Sequence, residues 1–315
     1  MLSNSTILML HRIGLRNSNK ISANQDMIIE PNELSKFIKV TKKKGWFFIS
    51  IDELIDELKF GRIPKKTIVL TFDDGYRDNY SDAFPLLKTL NCPFCIYVTT
   101  GFIEKNIIPW WYKLENVLSN YEEIKTPNSS YYLTRRIKEK NSAFLKIRKS
   151  IMANYESFTI FNNWLDQLFK HNQNKSDERL FMNWDEIREL SNSKLVTIGV
   201  HTDTHPVLSH LDDLTAIKEI KLSREVLQSR INREIRHFAY PFGEYGDFSS
   251  RDIHIAKQIG FSSAVTTRND FLRSENDLFI LPRVFYGFGF NLNKTQFKFF
   301  IRQIYKNIKK FFKND

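Results

Sequence analysis

Thr67-Ile68-Val69-Leu70-Thr71-Phe72-Asp73-Asp74-Gly75 reads as an apolar strand that ends on two adjacent carboxylates. Its counterpart lies far along the chain, where Leu195, Val196, Ile198 and Val200 lead into His201-Thr202-Asp203-Thr204-His205. Paired acids at one strand end and a His-x3-His pair at another are the parts of a mononuclear metal hydrolase. One carboxylate and two imidazoles make three ligands, which leaves positions open for water and substrate; that is the count of a catalytic site and not of a closed structural one. The other carboxylate is then available as a base. Taken singly, each motif reads equally well as a polar turn or a surface loop. Their joint occurrence at equivalent strand ends selects the chemical reading.

Working outward, Ile7-Leu8-Met9-Leu10 predicts a buried strand ending at His11, followed by a helix from about Pro31, a short strand at 46–49 and a helix at 52–59. The strand at 67–72 leads to a helix around 82–90 and a strand at 94–98. The rhythm breaks between Gly101 and about Asn183, where patchy helical patterns and the aromatic run Pro109-Trp110-Trp111-Tyr112 carry no clear strand. It resumes with a helix at 184–190, a strand at 195–200, a long helix from 214 to about 231 and a strand at 237–240. A helix at 251–259 and strands near 262–265 and 279–284 complete it. Alternating short strands and helices imply a parallel sheet, closed or nearly so, with function at the C-terminal strand ends. We expect an α/β protein, a distorted (β/α) barrel of about seven strands spanning 5–285, with a helical insertion at about 104–182. His11, Asp73, Asp74, His201 and His205 all fall at or just after predicted strand ends.

The chain of 315 residues is 42% hydrophobic, enough for a real core. No stretch approaches the roughly 18 to 20 apolar residues of a membrane span, and the N-terminus lacks the pattern of a secretory signal. A cytoplasmic protein is expected. Cys92-Pro93-Phe94-Cys95 has redox spacing but runs into a strand instead of opening a helix, so it reads as two ordinary buried thiols. The net charge of +11 is concentrated in the tail, and no nucleic-acid motif accompanies it.

Three motifs, Thr71-Phe72-Asp73-Asp74-Gly75, His201-Thr202-Asp203-Thr204-His205-Pro206 and Phe238-Ala239-Tyr240-Pro241-Phe242-Gly243, resemble in order and flanks the leading motifs of the polysaccharide deacetylases, the NodB-homology domain of carbohydrate esterase family 4. The resemblance covers roughly 5–103 and 183–285. It implies removal of an N-acetyl group from a sugar in a poly- or oligosaccharide, with a lipid-linked cell-surface glycan precursor among the candidate substrates. It implies that Asp74, His201 and His205 hold a divalent metal, zinc before cobalt, nickel or manganese, and that Asp73 is the general base. Physics is consistent with that division, since two adjacent carboxylates cannot face one ion in the same way. The resemblance also points to the Tyr240 backbone N–H as oxyanion donor, next to Pro241.

The chain departs from the commonest family pattern twice. Ala239 stands where many members carry an Arg that orients the catalytic Asp; Arg283, in Leu281-Pro282-Arg283, is the residue that could replace it from another strand end. No Leu-x-His motif occurs near the C-terminus; His11 at the front resembles members with circularly permuted motif order and is the expected general acid. Asp203 reads as a loop acid. Trp110, Trp111 and Tyr112 read either as a sugar-stacking wall or as aromatic core of the insertion, and His210, His237 and His254 have no assignable partner.

In the tail, Phe297, Phe300, Ile301, Ile304, Ile308, Phe311 and Phe312 recur at helical spacing opposite Lys298, Arg302, Lys306, Lys309 and Lys313. A basic amphipathic helix over 291–315 is expected, either packed on the barrel or resting on an anionic membrane at its inner face. Two further functional readings stand beside the deacetylase: a hydrolase of a small amide on the same metal site, and a catalytically weak saccharide-binding relative in which Ala239 is decisive.

Overall fold

A computed structural model describes residues 5–104, 107–169, 179–273 and 276–287. Its centre is a parallel sheet of eight strands: β1 (Ser5–Leu10), β2 (Phe47–Phe48), β3 (Thr67–Phe72), β4 (Phe94–Val98), β5 (Val196–Val200), β6 (His237–Ala239), β7 (Ser263–Val265) and β8 (Val284–Phe285). The order is β7-β6-β5-β4-β3-β1-β8, with β2 alongside the first half of β3. The sheet curls until its two ends meet through one segment: Leu281 bridges Val265 of β7, and Val284 pairs with Leu8 of β1. Pro282, which has no N–H to donate, separates the two pairings, so the expected strand at 279–284 is realised as a bridge and a two-residue strand.

Strands buried on both faces read as unbroken apolar runs, and β1, β3 and β4 are buried at every position. Alternation divides their side chains. Leu8, Leu10, Leu70, Phe94 and Ile96 pack outward against helices at Pro31–Lys43, Phe84–Thr89, Trp184–Ser191 and Asp213–Ile231. Ile7, Val69, Cys95, Tyr97, Ala239, Val265 and Leu281 fill the interior, closed at one end by the Ile51–Lys59 helix. The same two-residue step carries the inward face from Ile7 through Met9 to His11, from Val69 through Thr71 to Asp73, and from Thr197 through Gly199 to His201. Gly199 has no side chain because Tyr97 fills the barrel there; a Cβ would come within 2.5 Å of its ring. Three predicted site residues thus share one layer at the C-terminal rim, set by parity alone.

Between β4 and β5 the chain forms helices at Thr100–Glu104, Trp110–Asn120, Ile137–Ile151 and Tyr155–Leu168. The last three have a core of their own built from Trp110, Leu114, Val117, Phe144, Ile147, Phe161 and Leu165. Sequence reading expected no strand here, yet Glu123–Lys125 and Tyr131–Leu133 pair as an antiparallel hairpin. Its signal in the sequence is local: the turn residues Pro127-Asn128-Ser129 and the tyrosines that follow. Cys92 and Cys95 are buried, unbonded thiols; burial pushes Cys92 up to about 12 and Cys95 well above its ordinary value. Among the described residues no helix is long and apolar enough to cross a membrane. The expected tail helix at 291–315 lies outside the described residues.

Candidate active site

At the end of β3 the ladder runs one residue further, with the Asp73 N–H donating to Leu10 O at 3.1 Å, and the backbone then turns sharply at Asp74, φ 74°. Beyond β5, Thr202 and His205 also take positive φ, 62° and 60°, as does Phe242 at 60° after β6. Non-glycine residues are held in this region only where surroundings over-determine them, and such positions cluster at functional sites. Here the surroundings are explicit. The Glu219 carboxylate accepts from Asp203 N (3.0 Å), Thr204 N (2.8 Å) and Thr204 Oγ1 (2.7 Å). Ser223 Oγ donates to Thr202 O at 2.8 Å, and the Thr202 hydroxyl accepts from His205 N at 3.1 Å.

These turns bring Asp74, His201 and His205 together: Asp74 Oδ1 lies 3.6 Å from His201 Nε2 and 3.4 Å from His205 Nε2. One ligand atom from each lies within 4.8 Å of the others. His201 Nδ1 pairs with Ala239 O at 2.8 Å, which makes Nδ1 the protonated nitrogen and leaves the Nε2 lone pair facing Asp74. Asp74 Oδ1 is buried with no hydrogen-bond partner among the described residues. Burial, and then the neighbouring charge of Asp73, push the Asp74 carboxyl up to about 8. Burial also lowers both histidines, His205 well below its ordinary value. An orphaned buried carboxylate oxygen beside two imidazoles that burial keeps neutral fits a divalent cation: each donor is in, or released into, its ligating form when a cation supplies the missing charge.

Asp73 is one residue away and in the opposite situation. Arg283 grips it with two parallel bonds, Nη1 to Oδ1 and Nη2 to Oδ2, both 2.7 Å. The guanidinium is fully buried, donates also to Thr71 Oγ1 (3.1 Å) and Thr266 O (2.9 Å), and lies over the Tyr97 ring at 5.6 Å. Burial works to raise Asp73, but the Arg283 charge and hydrogen bonds, together with the charges of His201 and His11, outweigh it and hold the carboxyl down at about 2. The small Ala239 belongs to the same interior layer, beside Tyr97.

His11 is 9% exposed, and its Nδ1 has no partner among the described residues. Asn79 Nδ2 donates to His11 O at 2.9 Å, and Arg12 Nε to Asp78 Oδ2 at 2.7 Å, which fixes the turn that follows β1. Burial lowers His11 to about 4, with Asp73 acting in the opposite direction. His11, Asp73, Asp74, His201 and His205 line one cavity of about 450 Å³. Its other walls include Trp110, Trp111, Phe144 and Arg148 from the insertion, with Phe242 and Phe285 from the barrel rim.

Two predicted residues fall elsewhere. Tyr240 and Pro241 are not on the cavity wall, and the Tyr240 N–H, expected as an oxyanion donor, is committed to Val265 O at 3.1 Å. The reason is that β6 pairing with β7 extends one residue past Ala239. Phe242, which sequence reading did not single out, does line the cavity, and its N–H makes no hydrogen bond among the described residues. Asp203 accepts from Thr100 Oγ1 at 2.9 Å and stands outside the ligand cluster.

Residues 61–264, roughly two thirds of the chain, match the family model described as Polysaccharide deacetylase. A poly-beta-1,6-N-acetyl-D-glucosamine N-deacetylase of Staphylococcus aureus (strain N315) is 27% identical over 75 residues, 24% of this chain and 26% of that protein. The chain thus spans between about a quarter and a third of the curated relatives it matches. Among solved structures, the Streptococcus pyogenes deacetylase PplD in complex with acetate aligns with TM-score 0.63 at 19% identity, covering 93% of this chain and 96% of that one. IcaB from Ammonifex degensii aligns with TM-score 0.58 at 18% identity, covering 93% and 94%. These two likenesses concern the fold.

Proposed function

The chain belongs to the polysaccharide deacetylase family, and from that premise we propose that it hydrolyses the N-acetyl group of an N-acetylated sugar in a poly- or oligosaccharide. The observation that carries this reading is the contrast within Asp73-Asp74: one carboxylate is bound twice by Arg283, and the other has a free oxygen aimed at two imidazoles. Asp74, His201 and His205 would hold a divalent cation, zinc before cobalt, nickel or manganese, which when bound would polarise the acetamide carbonyl and activate water.

The remaining steps belong to the chain's own groups. Asp73, ionised and fixed in orientation by Arg283, accepts the proton of the attacking water. The Phe242 N–H, which makes no hydrogen bond among the described residues and lies on the cavity wall, takes the oxyanion role in place of Tyr240. His11 protonates the leaving amine. Burial makes its resting form neutral at pH 7, so it must first take up a proton as negative charge develops beside it, a direction in which Asp73 already acts. The proton that Asp73 takes from water balances the one His11 gives to the amine, and His11 returns to neutral. Trp110, Trp111 and Phe242 offer apolar faces to a pyranose ring in a cavity large enough for a saccharide.

The test is acetate release over a panel of N-acetylhexosamine saccharides, starting from a β-1,6-linked polymer and including short and lipid-linked forms. Release that stops on chelation and returns with zinc or cobalt is the expected result. Release indifferent to chelation would refute the mechanism.

A further inference from the structure

His201 and His205 are steered by different means. His201 is oriented by a hydrogen bond, from Nδ1 to Ala239 O. His205 Nδ1 has no such partner among the described residues, although the side chain is buried. Its ring is instead enclosed by aromatic rings. Phe242 meets it edge-on at 4.7 Å and 78°, Trp111 at 5.2 Å and 67°, and Phe102 lies nearly parallel at 6.1 Å and 22°.

Two of these rings stand close to the barrel, Phe102 just after β4 and Phe242 just after β6. Trp111 comes from the insertion, on the Trp110–Asn120 helix. It does a second thing there: its Nε1–H donates to the Tyr76 hydroxyl at 3.3 Å. Tyr76 is two residues beyond Asp74, is 1% exposed, and stacks on Phe181 at 5.0 Å. One insertion side chain therefore presses on His205 directly and ties down the turn that presents Asp74. Trp111 also edges Phe102 at 6.1 Å, so it buttresses a second wall of the His205 enclosure.

We propose that Trp111 is a positioning residue for the metal centre, and that the insertion is thereby part of the metal site instead of a separate accessory module. With no hydrogen bond to Nδ1 among the described residues, packing selects the His205 ring orientation, and edge-to-face contacts at these distances are the means. Groups that orient metal-binding histidines typically change affinity by about 10- to 100-fold when removed. The proposal rests on the assignment of Asp74, His201 and His205 as ligands, and its test separates the two.

Full-length protein is stripped with chelator, and zinc affinity is measured by competition with a chromophoric chelator, alongside the visible spectrum of the cobalt form. Wild type binding one zinc, with His205→Ala losing it, secures the underlying assignment; failure of that control removes the assignment and the proposal together. Given the control, Trp111→Ala is expected to weaken zinc by about 10- to 100-fold and to alter the cobalt spectrum. Trp111→Phe, which keeps a ring but deletes the bond to Tyr76, should weaken it by a smaller factor, about 3- to 10-fold, and decides the matter where the alanine variant does not fold. Trp164→Ala disturbs the insertion away from the cavity, packing on Phe161 at 5.9 Å, and should leave zinc affinity unchanged. Zinc affinities of the folded Trp111 variants within twofold of wild type would overturn the proposal. So would an equal loss in Trp164→Ala, which would assign the effect to the fold of the insertion.

Discussion

The two sides of the Asp73-Asp74 pair are adjacent in sequence and opposite in physics. Asp73 ends the inward-facing row of its strand, where Arg283, itself held by Thr71 Oγ1, Thr266 O and the Tyr97 ring, binds it with both Nη groups. Asp74 faces the cavity under the insertion, where burial is nearly as complete but, among the described residues, no Lys or Arg bonds it. Both are buried, so desolvation acts to raise both. Asp73, bonded by the Arg283 guanidinium and facing the charges of His201 and His11, is held down at about 2, whereas burial and the Asp73 charge push Asp74 up to about 8. A pair pushed apart in this way suits different roles: the ionised, oriented acid is suited to proton transfer, and the uncompensated one to binding a cation.

The largest effect that can break this comparison is Asp74→Asn. Loss of a ligand would remove several kcal/mol of transition-state stabilisation, a fall in turnover of about 10³-fold or more at roughly 1.4 kcal/mol per tenfold. The chelated protein should not suffer. A carboxyl raised from its ordinary 3.8 to about 8 contributes stability that is complete below about pH 4 and lost as pH rises through 8. Chelated Asp74→Asn should therefore gain melting temperature relative to wild type across that window; a variant that loses ground instead would contradict the assigned environment.

Asp73→Asn should reduce turnover by about 10²- to 10⁴-fold, the range of general-base catalysis, with metal retained. It should also destabilise, because breaking a buried ion pair costs about 3–5 kcal/mol. The sign is opposite to that at Asp74. A carboxyl lowered to about 2 contributes stability present above pH 4 and lost as pH falls through 2, so the penalty of Asp73→Asn should shrink in acid. Arg283→Leu together with Asp73→Asn should cost less than the sum of the single changes; additivity would separate the two residues.

His11→Ala is expected to lower turnover by about 10²-fold or more, as general acids do, with zinc affinity unchanged. Near-normal turnover would remove His11 from the mechanism. The smallest effect concerns the opposite end of the barrel. There Asp52 accepts from Thr197 Oγ1 at 2.8 Å and pairs with Arg236 at 2.5 Å and His237 at 3.0 Å. That end of a (β/α) barrel serves stability. Asp52→Asn should lower the melting temperature at neutral pH and leave turnover unchanged; a loss of turnover would show that the two ends communicate.

Much of this could be read from the chain, and what could not has a common cause. Strand ends, the acid pair and the His-x3-His spacing are local patterns, and periodicity places His11, Asp73 and His201 on one inward layer. Arg283 was visible as an arginine near a strand end, but its choice of carboxylate depends on barrel closure, which joins positions 210 residues apart. The availability of the Tyr240 N–H, the expected oxyanion donor, is hidden from the sequence for the same reason. Whether its N–H is available depends on whether β6 ends at Ala239 or pairs once more with Val265, and tertiary pairing alone settles that. Trp111 could be a cavity wall or insertion core from sequence; it lines the cavity, and its contact with His205 requires the insertion to fold back over the rim. The hairpin at 123–133 is the one miss with a local signal.

The central claim is that adjacent carboxylates divide the labour, Asp74 holding the metal and Asp73 moving the proton. Metal stoichiometry of purified Asp73→Asn and Asp74→Asn, determined side by side by elemental analysis after reconstitution with zinc, tests it most directly. The division predicts close to one zinc per chain in Asp73→Asn and little in Asp74→Asn. Zinc lost from the first and retained by the second would contradict it.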